Sequence, residues 1–175
     1  MRSIFNISNA LTIARIILLI PILYLLSLET QHNNYQAVVI IVVAVMTDYL
    51  DGYIARKANT VTQFGRYLDP VADKICVVAT VVYLAFFRRN MAQWFALLLV
   101  FKDVLILAGA AYMVFVKKVI VQSDMPGKWA VFFVAVTIML YILNFTVLGK
   151  IFMYVSLVWV LHSTVLYIVK FKRTL

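Results

Sequence analysis

Four aspartates lie in one short stretch of this otherwise apolar chain, and their spacing is the pattern in it most capable of chemistry. They are four of the seven acidic residues among 175. Carboxylates at membrane depth are costly, so a cluster of four needs a compensating partner. Divalent metal ions meet that need, because they bind oxygen ligands and offset the repulsion between carboxylates. The full pattern is Asp48-x2-Asp51-Gly52-x2-Ala55-Arg56-x8-Gly65-x3-Asp69-x3-Asp73.

Two helices joined by a short loop must position this acidic motif. Asp48 and Asp51 are three residues apart near the end of one apolar segment, and Asp69 and Asp73 are four apart near the start of the next. Residues at these spacings share one face of a helix, so both pairs can converge on one point. Four converging carboxylates suit a pair of Mg²⁺ or Mn²⁺ ions, which lie about 3.5–4 Å apart in two-metal enzymes. Such a site stabilises charge on oxygens during displacement at phosphorus.

The other fixed positions of the motif suit a nucleotide or a diphosphate. Gly52 and Gly65 lack side chains and let a flat base or a diphosphate approach the backbone. Arg56 can form paired hydrogen bonds with phosphate oxygens. The alternative interpretation, charged side chains that reach the membrane surface from helix ends, suits a single aspartate better than this spacing.

Composition indicates that the elements around the motif are membrane-spanning helices. Hydrophobic residues make up 65% of the chain and charged residues 13%, whereas a soluble domain has about 25% charged residues. Polar clusters separate six apolar segments of about 20 residues, the length of a transmembrane helix. We therefore expect an all-α polytopic membrane protein with six transmembrane helices, forming a single domain over residues 1–175. The breaks fall at Glu29–Asn34, Arg56–Arg66, Arg88–Asn90, Lys117–Lys128 and Leu148–Lys150.

The distribution of Lys and Arg predicts the orientation of these segments. An even number of spans places both termini on one side, and the side richer in basic residues faces the cytoplasm. We expect both termini, and the acidic motif, at the cytoplasmic face. The net charge of +9 then reflects topology and attraction to anionic lipid headgroups. No nucleic-acid partner is expected, since the basic residues lie at segment ends rather than along one continuous face.

At the acidic motif the sequence resembles a known family, the CDP-alcohol phosphatidyltransferases. The family signature D-x2-D-G-x2-A-R-x8-G-x3-D-x3-D is met at all eight specified positions between Asp48 and Asp73. The pattern of six apolar segments is similar over the whole chain. The resemblance implies a two-metal enzyme, usually a homodimer, in the cytoplasmic membrane of a bacterium. It would transfer a phosphatidyl group from CDP-diacylglycerol to an alcohol and release CMP.

The resemblance also implies roles for individual residues. Asp48, Asp51 and Asp69 would be metal ligands. Asp73 would be both a ligand and the base that deprotonates the acceptor hydroxyl. The residues that would line the cytidine and diphosphate site are Gly52, Ala55, Arg56, Thr62 and Gly65.

The amino-terminal segment resembles one branch of that family. Asn6-Ile-Ser-Asn-Ala-Leu-Thr-Ile-Ala-Arg15 is similar to the N-I-P-N-x-L-T-x-x-R opening of phosphatidylglycerophosphate synthases, with Ser8 in place of proline. This implies that Asn9 and Thr12 contact the nucleotide. A helix cap is the alternative for Asn9. Arg15 lies within an apolar segment, where an unpaired cation is costly.

Basic residues elsewhere are candidates for binding the acceptor. Lys102, followed by Asp103, aligns with an Arg-Glu or Arg-Asp pair of those synthases, although the two residues can also form an internal ion pair. Lys128 aligns with the first Lys of a G-K-x-K-T segment. Ala130 and Val131 replace the second Lys and the Thr, which removes one phosphate-binding charge.

We favour glycerol 3-phosphate as the acceptor, giving phosphatidylglycerophosphate. Arg66 is a further candidate for its phosphate, or else marks the membrane interface. The alternatives within the family are phosphatidylglycerol, which would give cardiolipin, and inositol phosphate. An alternative of another class is a metal-ion or proton transporter that uses the four acids as its intramembrane site.

Four further polar residues have simpler predicted roles. We expect Arg88 and Arg89 to anchor the protein at the interface opposite the motif. His162 is expected to form a hydrogen bond between helices. Lys74 either neutralises the acidic motif or faces elsewhere.

Overall fold

The computed structural model describes residues 7–57, 74–115 and 125–174, and every regular element in these ranges is a helix. The all-α prediction is confirmed for these residues. The chain forms two compact units, Met1–Tyr83 and Leu84–Leu175. The helices are α1 (Ile7–Ser27), α2 (Gln31–Lys57), α3 (74–82, continuing as the π-helical turn Tyr83–Phe87), α4 (Gln93–Phe115), α5 (Met125–Ile142) and α6 (Thr146–Thr174).

Within the described ranges, two helices are long and apolar enough to cross a membrane. They are α5 and the part of α6 from Thr146 to Val169. Shorter apolar stretches occur at Ile16–Ser27 and Lys74–Phe87. These helices support association with a membrane. Six crossings and cytoplasmic termini remain predictions.

A short turn joins α1 to α2 in the first unit. Glu29 adopts the left-handed conformation with φ 53°. The helix α1 cannot continue through this conformation and ends at Ser27. Thr30 then caps α2, because its Oγ1 accepts a hydrogen bond from the Asn33 N–H at 3.3 Å. The polar residues 31–34, which the sequence assigned to the break, therefore form the first turn of α2.

The interface between α1 and α2 is mainly apolar. Leu26 of α1 and Ala37 of α2 are completely buried, and Asn34 is equally buried one turn before Ala37. A small residue at position 37 permits close helix approach. Elsewhere on these helices large apolar side chains such as Ile20 and Val39 are exposed, at 69% and 60%. Exposed apolar faces of this kind fit a lipid environment.

In the second unit, α5 and α6 form a hairpin that closes through a Schellman motif. The Phe145 N–H donates to the Leu140 carbonyl at 2.9 Å, and the Asn144 N–H donates to the Tyr141 carbonyl at 3.2 Å. Asn144 takes the left-handed conformation, with φ 65°, which asparagine tolerates better than most residues. The predicted turn at Leu148–Lys150 is therefore wrong: the chain reverses before α6 begins.

Gly149 serves packing rather than the turn. It lies in the first turn of α6, where an added Cβ would be 3.2 Å from two ring carbons of Tyr141. Tyr141 is almost fully buried, and its hydroxyl donates to the Met153 sulfur at 3.8 Å. The missing side chain thus lets the two helices approach closely next to the hairpin turn.

The segment between α3 and α4 caps the carboxyl end of α5. Arg88 donates to the Ile142 carbonyl at 3.4 Å and to Asn144 Oδ1 at 3.1 Å, and Asn90 Nδ2 donates to the Tyr141 carbonyl at 3.0 Å. A guanidinium at a helix carboxyl end is favourable, because unsatisfied carbonyls carry partial negative charge there. Arg88 is therefore a helix-capping residue as well as a candidate interfacial anchor.

Hydroxyl groups in the apolar helices form hydrogen bonds within their own helix. Thr47 Oγ1 donates to the Val43 carbonyl, and Thr137 Oγ1 to the Phe133 carbonyl, both at 2.8 Å. This satisfies the hydroxyl donor without a second helix. The same bonding is found at Thr80, Ser156 and Thr164.

His162 has an aromatic contact on α6. It is exposed, and its ring packs edge-on against Trp159 with centroids 6.3 Å apart. Trp159 in turn stacks on Phe133 of α5 at 6.0 Å. The described contact of His162 is thus with its own helix, beside an aromatic interface between α5 and α6.

Candidate functional site

The first half of the acidic motif lies on one continuous helix. Positions 48, 51, 52, 55 and 56 all fall within α2. With 3.6 residues per turn, positions 48, 51, 52 and 55 lie along one face of that helix. The predicted helical placement of Asp48 and Asp51 is thereby confirmed.

Contacts on the amino-terminal side of the motif hold α2 in place. Thr30 caps the helix, and its first turns are buried against α1 at Asn34 and Ala37. In the turn that precedes Asp48, the Thr47 hydroxyl bonds back to the Val43 carbonyl. The helix therefore reaches the motif with its backbone and hydroxyl groups bonded internally.

The second half of the motif lies in residues 58–73, outside the described residues. This applies to both remaining aspartates and to the predicted ligands of the nucleotide and acceptor in that segment. Their assigned roles stay predictions. The residues concerned are Thr62, Gly65, Arg66, Asp69 and Asp73.

Asn9 and Thr12 lie within α1. Because α1 begins at Ile7, Asn9 occupies the interior of its first turn rather than the position before the helix. The helix-cap alternative for Asn9 therefore does not apply, and the nucleotide contact remains the prediction for it. Arg15 lies farther along α1.

Lys102 and Asp103 form an ion pair in the middle of α4. Lys102 Nζ lies 2.8 Å from Asp103 Oδ1, and the two side chains are only 17% and 11% exposed. The distance confirms that the two residues form an internal ion pair, which was the alternative interpretation. Binding of an acceptor by Lys102 is compatible with the pair, since an ammonium has three N–H donors.

The other lysines differ in their surroundings. Lys128 is exposed in the first turn of α5, so it is accessible to a ligand. Ala130, which replaces the second lysine of the synthase pattern, is buried at 3% exposure. At the start of α3, Lys74 Nζ is shielded from solvent. Its role, neutralising the acidic motif or facing elsewhere, stays a prediction.

Two polar features escaped prediction from the sequence. The sequence pattern places Asn34 in the break at Glu29–Asn34, whereas the structure has it fully buried in α2. The sequence pattern predicts a break at Asn90, whereas the structure shows that its side chain caps α5. For Asn90 the only local signal is its place directly after two arginines at a helix end, where polar side chains often meet free carbonyls.

The donor set of the motif fits Mg²⁺ or Mn²⁺. Carboxylate oxygens are the ligands that these hard cations prefer, and α2 supplies two of them from one face. Among the described residues, no group of three or more His, Cys, Asp or Glu residues is arranged to hold a metal. That result does not concern Asp69 and Asp73, which lie outside those residues.

Comparison with known proteins finds similarity to one family and to several bacterial enzymes. Residues 5–162, which include the whole acidic motif, match the family model described as CDP-alcohol phosphatidyltransferase. A relative from Aquifex aeolicus (strain VF5) is 29% identical over 173 residues, covering 94% of this chain and 95% of the relative. The Bacillus subtilis (strain 168) relative is 32% identical over 148 residues, 72% of each chain. The Mycoplasma genitalium relative is 34% identical over 143 residues, 71% of this chain and 59% of its own length. All three are named CDP-diacylglycerol–glycerol-3-phosphate 3-phosphatidyltransferase.

Proposed function

This chain belongs to the CDP-alcohol phosphatidyltransferase family, and from that premise we propose that it transfers a phosphatidyl group from CDP-diacylglycerol to glycerol 3-phosphate. It is a membrane-associated transferase of phospholipid biosynthesis. The products are phosphatidylglycerophosphate and CMP. The observation that carries the proposal is the complete acidic motif, with its first five fixed positions on α2. The names of the bacterial relatives support the choice of acceptor.

The proposed metal ligands are the four aspartates of the motif. The family generally depends on a divalent metal. Asp48, Asp51, Asp69 and Asp73 would hold two Mg²⁺ or Mn²⁺ ions. When bound, these ions would supply charge stabilisation at the diphosphate.

In the proposed reaction Asp73 accepts the proton of the acceptor hydroxyl. The freed oxygen attacks the lipid-proximal phosphorus, and the bond from that phosphorus to the bridging oxygen breaks. CMP leaves with the bridging oxygen. Arg56 binds phosphate oxygens through its paired N–H groups. The remaining proposed contacts to the CDP-lipid are Asn9, Thr12, Gly52, Ala55, Thr62 and Gly65.

Binding of the acceptor phosphate is assigned to Arg66, Lys102 and Lys128. The exposure of Lys128 supports its role, and the pairing of Lys102 with Asp103 at 2.8 Å leaves the ammonium further N–H donors. Ala130 stands where the synthase pattern has a second lysine. For that reason phosphatidylglycerol and inositol phosphate are kept as comparison acceptors.

The proposed setting is a bacterial cytoplasmic membrane. The chain would cross it six times as one domain over residues 1–175, with both termini and the active site at the cytoplasmic face. The distribution of Lys and Arg supports this orientation, and the apolar helices support the membrane location. The family resemblance supports a homodimer.

Release of CMP from CDP-diacylglycerol by the purified protein in liposomes tests the reaction. We expect release only when Mg²⁺ or Mn²⁺ and glycerol 3-phosphate are both present. Asp73→Asn should lower the rate by about 10²–10⁴-fold, because the base is lost. Glu29→Gln is the matched control, since it makes the same chemical change at an exposed carboxylate. An unchanged rate in Asp73→Asn would show that Asp73 is not the base.

A panel of acceptors tests which alcohol receives the phosphatidyl group. Glycerol 3-phosphate, phosphatidylglycerol, serine and inositol phosphate are supplied separately, and the lipid product is identified by mass spectrometry. Lys128→Ala should reduce the rate only with acceptors that carry a phosphate monoester, glycerol 3-phosphate and inositol phosphate. Metal or proton flux into sealed vesicles without any CDP-lipid would instead support the transporter alternative.

A further inference from the structure

One end of the second unit carries positive charge without an acidic residue in the segments that form it. This end consists of the α5–α6 turn and the segment before α4, which the Arg88 side chain joins to the end of α5. Residues 84–95 and 140–155 contain three basic residues but no Asp or Glu. Arg88 takes part in the cap, whereas Arg89 and Lys150 are exposed. Two cations at this end are therefore accessible to an anion.

An exposed aromatic pair lies one helical turn beyond Lys150. Tyr154 is four residues after Lys150 and so shares its face of α6. The Tyr154 ring packs against Trp94 in the first turn of α4, with ring centroids 6.4 Å apart. Both side chains are still 58% and 46% exposed, respectively. Because Trp and Tyr combine an apolar ring with a polar N–H or O–H, they concentrate at the boundary between lipid tails and headgroups. The pair therefore marks headgroup level at the end that carries the cations.

Beyond this pair, α4 and α6 run side by side and present exposed apolar side chains. A second contact joins the helices where the Tyr167 hydroxyl donates to the Ile106 carbonyl at 3.4 Å. It lies twelve residues after Trp94 and thirteen after Tyr154, so the helices are parallel over about 18 Å. The hydrocarbon layer of one leaflet is about 15 Å thick, so this face is long enough for an acyl chain. The exposed apolar side chains that follow the aromatic pair on the same helix faces are Leu97, Phe101, Val158 and Leu161.

We infer that this face of α4 and α6 binds an anionic phospholipid, with the phosphate at Lys150 and Arg89 and one acyl chain along the two helices. Charge complementarity favours a net negative headgroup, because the ammonium of a zwitterionic headgroup would be repelled by the same cations. The Trp94 N–H and the Tyr154 O–H are donors suited to phosphate and ester oxygens. None of these residues belongs to the acidic motif, so the binding does not depend on the proposed reaction.

Quenching of Trp94 fluorescence by brominated phospholipids tests this binding. Trp129→Phe and Trp159→Phe leave Trp94 as the single tryptophan of the three, and the protein is reconstituted in phosphatidylcholine vesicles. Dibrominated phosphatidic acid, which is neither the donor nor a proposed acceptor, should quench with a relative affinity about ten-fold above that of dibrominated phosphatidylcholine. Equal affinities would show ordinary contact with bulk lipid and would overturn the inference.

Removal of one cation tests the contact with the phosphate. Lys150→Gln should lower the preference for phosphatidic acid about five-fold, and Lys150→Arg should retain it. Lys128→Gln is the matched control, because it removes an exposed lysine at the opposite end of α5. An unchanged preference in Lys150→Gln, or an equal loss in Lys128→Gln, would contradict the assigned phosphate contact.

The remaining outcomes test the apolar contact and the occupant. Inorganic phosphate should not reverse the quenching, because it cannot occupy the apolar face; reversal would show a site for phosphate alone and overturn lipid binding. No quenching by either lipid would show that another occupant, such as a second copy of the chain, covers the face, and would also overturn it. All measurements are made without CDP-diacylglycerol or divalent metal, so failure of the proposed function would leave them unchanged.

Discussion

At Gly149, within the described part of the chain, a single added methyl group should have a direct effect on packing. Gly149→Ala would place a Cβ 3.2 Å from the buried Tyr141 ring, which would have to shift by a few tenths of an ångström. We expect destabilisation of about 1–3 kcal/mol from overpacking. Thermal or denaturant unfolding in detergent measures it.

A double-mutant cycle identifies the cause. Tyr141→Leu removes the ring, so the cost of Gly149→Ala should largely disappear in that background. Equal costs in the two backgrounds would show that the penalty does not come from the contact with Tyr141.

The helical placement of the acidic motif can be predicted from residue spacing alone, because the residues concerned are close together in the sequence. Asp48 and Asp51 fall on one helix face in any α-helix, so the prediction needed no tertiary information. The sequence predicts a turn at Gly149, whereas the residue packs against Tyr141, eight residues earlier and on another helix, a contact that hydropathy does not reveal. The Lys102–Asp103 pair was foreseen as one of two alternatives, but its burial was not.

Among the elements, α5 depends on its carboxyl-terminal cap. Arg88→Met removes hydrogen bonds to the Ile142 carbonyl and to Asn144 Oδ1. We expect a loss of about 1 kcal/mol in unfolding free energy, from the hydrogen bonds and the helix dipole together. Arg89→Met is the matched control, because that neighbouring arginine is exposed. Equal losses in the two variants would contradict the capping role.

The presence of helices can be predicted from the sequence, but the residues at which they begin and end are harder to predict. Apolar segments of membrane length favour helices whatever their packing. The ends depend on caps such as Thr30 and on left-handed residues such as Asn144, neither of which changes the hydropathy pattern. This is why residues 31–34 belong to α2 and why the last reversal comes before Gly149.

Cysteine labelling tests the predicted orientation of the whole molecule in the membrane, with both termini in the cytoplasm. In a Cys76→Ser background, Phe145→Cys at the α5–α6 turn should react with a membrane-impermeant maleimide in intact cells. Thr174→Cys at the end of α6 should react only after the cells are permeabilised. These results are expected because Lys and Arg are concentrated on the side of the termini. Labelling of Thr174→Cys in intact cells would reverse the orientation.

The hydroxyl groups that bond within their own helices bear on how this protein is made. Thr80, Thr137 and Thr164 each donate to a carbonyl four residues earlier in the same helix. In the proposed topology each of these helices would enter the bilayer with those hydroxyl donors already satisfied before any neighbouring helix arrives. Insertion and assembly can then be separate stages, and the second depends on close packing and on hydrogen bonds such as those of Arg88 and Asn90 to the end of α5. Errors in biogenesis should then arise where close fit is required, as between Gly149 and Tyr141, rather than at the threonines.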